Sequence, residues 1–107
     1  MATVNELVVL MPCSCGHLDQ RVIQFRYGRL RLLTYQIGSE VQWGEPSLGD
    51  ASDDLALVQG WLTSCEECSA DGDIAVVIRK GRVVGVTDWE DIESWSTERT
   101  RLYRYED

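Results

Sequence analysis

The sequence lacks most of the residues and motifs from which an enzyme could be recognised. It has one histidine, one lysine and two prolines in 107 residues. It contains no G-x-S-x-G nucleophile motif, no P-loop and no G-x-G-x-x-G dinucleotide motif. Adjacent acids such as Asp53-Asp54 are far more often solvated than catalytic. We therefore expect no catalytic residues and a protein that is not an enzyme.

Long hydrophobic runs are also missing. The longest apolar run near the start, Leu7–Met11, covers five residues, whereas a bilayer-spanning helix needs about 20. Glu6 precedes this run and no basic segment stands before it, so we expect neither a secretory signal nor a membrane anchor. The expected location is the cytoplasm, where thiols stay reduced.

Basic residues are absent from the middle of the chain. No Lys or Arg falls between Arg31 and Arg79, and the net charge is −8. An acidic surface repels phosphate backbones and attracts basic partners, although it also simply keeps a protein soluble. The nine acids in this interval are Glu40, Glu45, Asp50, Asp53, Asp54, Glu66, Glu67, Asp71 and Asp73.

The length suits a single domain spanning 1–107, and its runs of β-branched and aromatic residues predict a mostly β fold of antiparallel hairpins. A first hairpin is predicted from Arg21–Tyr27 and Arg29–Ile37. A second is predicted from Asp73–Arg79 and Arg82–Thr87, joined by a two-residue turn at Lys80-Gly81.

Two further strands are predicted ahead of the cysteines, over Asn5–Met11 and Leu55–Ser64. A helix is the alternative for 55–62, because its apolar residues also share a helical face. Residues 38–54 are rich in Gly, Ser and Asp and predict a loop. The segment 89–107 is a C-terminal extension that we expect to be a short helix or irregular, because its acids precede its bases as a helix dipole favours.

The four cysteines occur as two close pairs, Cys13-Ser14-Cys15 and Cys65-Glu66-Glu67-Cys68. Two tight turns that each carry two thiolates can supply the four tetrahedral ligands of a structural zinc ion. We therefore expect one zinc ion per chain, held by Cys13, Cys15, Cys65 and Cys68. His17 could replace one cysteine as ligand, or could hydrogen-bond a ligand sulfur.

Other fates for the cysteines stay open. Cys65 and Cys68 could form a redox dithiol, but Glu66 and Glu67 between them oppose the lowered thiol pKa that such chemistry needs. Iron, alone or in a cluster, can use the same four thiolates. Inert thiols or two disulfides are the remaining alternatives.

The two cysteine turns, in Pro12-Cys13-Ser14-Cys15-Gly16 and Cys65-Glu66-Glu67-Cys68, resemble those of the zinc-ribbon and rubredoxin-like families. The resemblance covers roughly two-thirds of the chain and departs from the family at the one-residue spacing of the first pair. It implies a zinc-held β core that binds nucleic acid or protein. Short segments around Tyr27, Ile37 and Trp43 are similar to those of small bacterial proteins, which implies no function.

Charge and aromatic content together predict a partner. We expect a zinc-stabilised interaction module that binds a basic protein through its acidic surface, as an immunity protein or inhibitor would. Aromatic residues among acids suit such an interface, although most tryptophans in a short chain belong to the core. The candidate partner-binding residues are Glu66, Glu67, Asp71, Asp73, Trp89 and Trp95.

A nucleic-acid-binding zinc ribbon is the alternative function. It would use the arginines of the first predicted hairpin, which are Arg21, Arg26, Arg29 and Arg31. Strand alternation places Arg29 and Arg31 on one face but does not decide whether the other two join them.

Overall fold

The computed structural model describes residues 4–12, 16, 18–62 and 72–104. These residues are mostly β, which confirms the predicted fold class. No helix among them has the length and apolar content to cross a membrane. In chain order the elements are β1 (Asn5–Pro12), β2 (Leu18–Phe25), β3 (Gly28–Arg29), β4 (Thr34–Tyr35), β5 (Ser47–Leu48), β6 (Leu55–Leu62), β7 (Gly72–Arg79), β8 (Arg82–Asp88), a 3-10 helix (Trp89–Ser94) and β9 (Thr100–Tyr103).

Seven strands form one curled sheet in the order β4-β1-β2-β6-β7-β8, with β9 also paired to β6. The pairs are antiparallel except β4 with β1 and β9 with β6. Strands β3 and β5 form a separate antiparallel pair. Residues 38–41 cover the outer edge of β8: the Gly38 N–H donates to the Val83 oxygen at 2.7 Å, and the Val41 N–H donates to the Gly81 oxygen at 2.7 Å. The curled sheet as a whole forms a half-barrel around its core.

The second predicted hairpin is confirmed. Strands β7 and β8 pair antiparallel up to Arg79 and Arg82, with a register shift after Val77. The two residues between them, Lys80 and Gly81, have φ of 50° and 76°. Positive φ at both positions is typical of a type I′ turn, whose twist matches that of the two strands it joins.

The first predicted hairpin is wrong. Strand β2 pairs with β1 over its whole length, and residues 34–35 pair with β1 in parallel. The reason lies in Asn5, whose side chain binds the backbone oxygens of Tyr27 and Arg29 and the backbone N–H of Leu33. A fully buried side chain thus takes the backbone groups that the predicted hairpin needed for its own ladder.

Strand β6 settles the choice between strand and helix for 55–62, because it pairs with β7 along all eight residues. Its residues 55–58 are buried on both faces of the sheet. Ala56 and Val58 belong to the main core, while Leu55 and Leu57 pack on the other face against Ile92 of the 3-10 helix. Burial on both faces explains why this strand is continuously apolar and mimics a helical face.

The C-terminal segment is more regular than expected. Its short helix exists as the 3-10 helix, whose first turn carries Glu90 and Asp91. The remainder is not all irregular, because β9 pairs in parallel with β6 from Leu55–Thr100 to Val58–Tyr103. Such long-range pairing leaves no signal in the local pattern of residues.

Candidate partner-binding surface

All residues of the zinc prediction lie outside the described residues; they are Cys13, Cys15, His17, Cys65 and Cys68. The same is true of three predicted partner-binding residues, Glu66, Glu67 and Asp71. Within the ranges that the structure describes, no group of three or more His, Cys, Asp or Glu could hold a metal ion. The described strands do fix where the cysteine-bearing segments are attached to the fold.

Both cysteine-bearing segments join neighbouring strands of antiparallel hairpins. One follows Pro12, which pairs with Leu18, and the other follows Leu62, which pairs with Gly72. Because β2 and β6 are antiparallel and adjacent at Ile23 and Leu62, the two connections leave the sheet at the same end. The sequence predicted a hairpin after each cysteine pair. In the first half of the chain, Cys13 and Cys15 instead fall, in sequence, between the two strands of a hairpin, β1 and β2.

An acidic recess of about 370 Å³ lies where β7 begins and β8 ends. It is lined by Asp73, Asp88, Trp89 and Glu90, and we call these four residues the acidic recess. The pairing of Ile74 with Asp88 brings the two strand ends together, and Trp89 follows directly as the first residue of the 3-10 helix. Asp88 keeps the extended backbone of β8, with φ −62° and ψ 141°, and the 3-10 helix begins at the next residue.

A cation already lies against this aromatic ring. The guanidinium carbon of Arg104 is 5.9 Å from the centroid of the Trp89 ring, which is within the range of a cation–π contact. Arg104 follows β9 directly in the chain. The acidic recess thus combines the two features that bind an arginine side chain: an indole face and several carboxylates nearby.

The structure brings together two of the predicted partner-binding residues, Asp73 and Trp89. Trp95 lies beyond the other end of the 3-10 helix, 37% exposed. Asp88 and Glu90 were missed as individual residues. Their position on both sides of Trp89 in the sequence was a usable signal, but only the pairing of β7 with β8 places them in one recess with Asp73.

A second, polar cleft of about 620 Å³ lies between residues 50–54 and 98–101. Beside it, Asp53 Oδ2 accepts hydrogen bonds from the hydroxyl of Tyr27 at 2.9 Å and the hydroxyl of Tyr103 at 2.5 Å. Burial, followed by the bond to Asp53, raises the pKa of both tyrosines well above the ordinary value. Both phenols therefore stay protonated donors at neutral pH, which suits a structural cross-link.

The same cleft holds one carboxylate with a lowered pKa. Asp50 accepts hydrogen bonds from the backbone N–H and the hydroxyl of Ser52, each at 2.8 Å, and these bonds lower the pKa of Asp50. This is the usual geometry of an Asp that stabilises a turn through its own side chain. Its carboxylate stays ionised, which disfavours a role as a general acid near neutral pH.

The arginines of the alternative function do not form one open basic face. Arg21 is only 5% exposed. Arg29 packs along Gly44, where an added Cβ would lie 3.1 Å from the Arg29 Cδ atom. Arg31 is exposed and its Nη2 atom lies 3.4 Å from the Glu45 backbone oxygen. A nucleic-acid backbone needs several accessible cations along one surface, so this arrangement gives that function little support.

No protein-family model, curated protein or solved structure matches the chain.

Proposed function

We propose that this protein is a non-enzymatic, zinc-stabilised interaction module that binds a basic partner protein, in the manner of an inhibitor or immunity protein. The acidic recess carries this proposal, because Asp73, Asp88 and Glu90 line the same recess as Trp89. The net charge of −8 adds a field that steers a basic partner toward the protein.

An arginine in the recess can make two kinds of contact at once. An exposed ion pair contributes about 0.2–1 kcal/mol, and a guanidinium on an exposed indole contributes about 0.5–1 kcal/mol. Arg104 supports the proposal because its own guanidinium lies over Trp89. A partner that offers both stacking and charge would gain from the two contacts together.

The zinc ion of this proposal would be held by Cys13, Cys15, Cys65 and Cys68. Leu62, at the end of β6, lies beside Ile23 of β2, which is five residues from Leu18 at the end of the β1–β2 hairpin. At about 3.4 Å per residue, the end of the β1–β2 hairpin therefore lies about 17 Å beyond the end of the β6–β7 hairpin. Three residues from Leu62 to Cys65, or four from Gly72 back to Cys68, can span at most about 10–14 Å. The remaining gap is about what two cysteine side chains around one zinc ion span, with Zn–S bonds near 2.3 Å.

The zinc part is tested by elemental analysis and native mass spectrometry of untagged protein. We expect one zinc per chain and loss of that zinc in Cys65→Ser. Chelation should lower the melting temperature of the wild type and leave that of Cys65→Ser unchanged. Protein without metal and with four titratable thiols would contradict the proposal and favour a redox role.

The partner part is tested by affinity capture at low ionic strength, where acidic contacts are strongest. Asp88→Asn with Glu90→Gln removes two charges from the acidic recess. Glu45→Gln with Glu98→Gln removes two exposed charges elsewhere. We expect a basic protein retained by the wild type to be lost by the first pair of substitutions and kept by the second. Retention of single-stranded RNA or DNA in place of protein would contradict the proposal.

A further inference from the structure

Among the described residues, several apolar side chains on the outer face of the sheet are exposed. On the other side of the sheet, the odd-numbered residues of β1 and β2 form the core, including Leu7 and Ile23, which are fully buried. Strand alternation therefore turns the even-numbered residues outward. Leu10 and Leu18 are 65% and 59% exposed, and Trp61 is 45% exposed.

The strand register places these side chains on one face. Leu10 pairs with Gln20, one step along the same face from Leu18. Gln24, on that face too, pairs with Trp61 of β6. Between the Leu10–Gln20 pair and Gln24, Val8 pairs with Val22, and both valines are half-buried. We call this set, Val8, Leu10, Leu18, Val22 and Trp61, the outer strip.

The outer strip meets the acidic recess directly. Trp61 pairs across the strands with Asp73, which lines the recess. On this same face the 3-10 helix covers Leu55, Leu57 and Val77 with Ile92, and it begins at Trp89. Exposed and half-buried apolar side chains, with Gln20 and Gln24 among them, thus extend over β1, β2 and β6 as far as the acidic recess. Exposed apolar patches with a polar rim are typical of interaction sites.

We propose that the outer strip and the acidic recess form one docking surface for an amphipathic, arginine-bearing segment of a basic partner protein. Its apolar side chains cover the outer strip, and one arginine replaces Arg104 on Trp89. This inference rests on the proposed function and names the partner's chemistry. A second copy of this chain fits poorly, because two copies would bring together surfaces of like charge, each chain carrying −8.

The recess should prefer arginine to lysine. A guanidinium is planar, stacks on an indole and offers a fork of donors to carboxylates, whereas an ammonium is a compact, strongly hydrated charge. Arg104 already shows this stacking at 5.9 Å. Arginine preference therefore separates the proposed site from general attraction between opposite charges, which treats the two side chains alike.

The probe is a short acetylated peptide that alternates leucine and arginine, titrated into the full chain by calorimetry at low salt. Two matched peptides replace every arginine by lysine or every leucine by serine. We expect the leucine–arginine peptide to bind about tenfold more tightly than the lysine peptide. The serine peptide should bind at least about tenfold more weakly than the first.

Substitutions in the protein identify the surface. Leu18→Ser should weaken binding of the leucine–arginine peptide about tenfold. Leu32→Ser is the matched control, because Leu32 is 58% exposed and lies beside Leu33, which binds Asn5 at the far end of β1. Arg104→Ala should strengthen binding more than Arg79→Ala does, since only the former removes the guanidinium that occupies Trp89. Arg79 is an exposed arginine at the end of β7, so the charge change is the same.

Equal binding of the arginine and lysine peptides, with no effect of Leu18→Ser, would overturn this inference. The proposed function would survive that result if substitutions at Asp88 and Glu90 still abolished capture of a basic protein. Sedimentation that shows self-association, lost in Leu18→Ser, would also overturn it by assigning the outer strip to a second copy.

Discussion

The side-chain nitrogen of Asn5 donates a hydrogen bond to the backbone oxygen of Tyr27 at 2.9 Å, and both residues are buried. The same amide group donates to the Arg29 oxygen at 2.9 Å and accepts from the Leu33 N–H at 3.0 Å. One side chain at the start of β1 therefore binds backbone groups of three residues between β2 and β4. It satisfies two backbone oxygens and one N–H that would otherwise need other partners.

Asn5→Leu keeps the volume of the side chain but removes all three hydrogen bonds. Two carbonyls and one N–H would then lack these partners, and we expect the free energy of unfolding to fall by about 2–4 kcal/mol. Urea denaturation measures the change. Gln36→Leu alters an exposed amide and should stay within about 0.5 kcal/mol of the wild type. Equal stability of the two variants would show that the Asn5 bonds add nothing to stability.

Gly49 lies close against the ring of the buried Tyr27. A Cβ added at Gly49, whose φ is 89°, would lie 2.3 Å from the Tyr27 Cε1 atom. We expect Gly49→Ala to lower the free energy of unfolding by about 2–4 kcal/mol through overpacking and backbone strain.

Gly38 provides the matched control for that substitution. Its φ is 95°, but an added Cβ would meet nothing within 4 Å. Gly38→Ala should therefore show the backbone strain alone, about 1–2 kcal/mol. If both alanine variants lost the same stability in urea denaturation, contact with the Tyr27 ring would not matter.

The pairing of Tyr27 with Asp53 should make stability depend on alkaline pH. Burial raises the pKa of Tyr27 above its ordinary value, so the unfolded chain releases this proton near pH 10 while the folded chain keeps it. The stabilisation is fully present below about pH 10 and is lost as pH rises toward the folded pKa. Above about pH 10 we expect the free energy of unfolding to fall by about 1.4 kcal/mol per pH unit for this residue.

Urea denaturation between neutral and alkaline pH tests the Tyr27 effect. Tyr27→Phe should be less stable at neutral pH by about 1–2 kcal/mol, because its bonds to Asp50 and Asp53 are lost. Above about pH 10 it should lose stability less steeply than the wild type. Parallel curves for the two proteins would contradict the raised pKa of Tyr27.

Lys80 is a residue that the turn does not favour. Its φ is 50°, a conformation that asparagine tolerates better than lysine. Lys80→Asn should raise the free energy of unfolding by about 0.5–1 kcal/mol, measured by thermal and urea denaturation. Lys80→Ala removes the same charge without easing the backbone, so a gain of equal size in that variant would point to charge instead.

Local patterns predicted those parts of the fold that are set by neighbours in the sequence. The hairpin around Lys80-Gly81 could be predicted because its apolar strands and its turn lie in one short stretch. The parallel pairing of β4 with β1 could not, because Glu6 and Thr34 lie 28 positions apart and the segment before β4 is bound by Asn5. A buried asparagine looks the same in the sequence as an exposed one.

The acidic and aromatic character of the acidic recess could be predicted from the sequence, but the full set of residues that form it could not. Trp89 stands among acids in the sequence, so an acidic, aromatic surface could be expected there. Asp73 joins it only because β7 and β8 pair in a particular register. Arg104 reaches the ring because β9 adds to β6 in parallel, a pairing that neither segment signals on its own.

Parallel pairing of β6 with β9 has a consequence for synthesis of the chain. Thr100 pairs with Leu55, 45 positions earlier, so a strand in the middle of the sheet waits for a segment that leaves the ribosome 45 residues later. Contacts of such long sequence separation slow folding. Until β9 is made, residues 55–58 of β6 have an unpaired edge, the kind of edge on which nascent β-proteins aggregate. This edge of β6 is therefore protected only once β9 has been made and has paired with it.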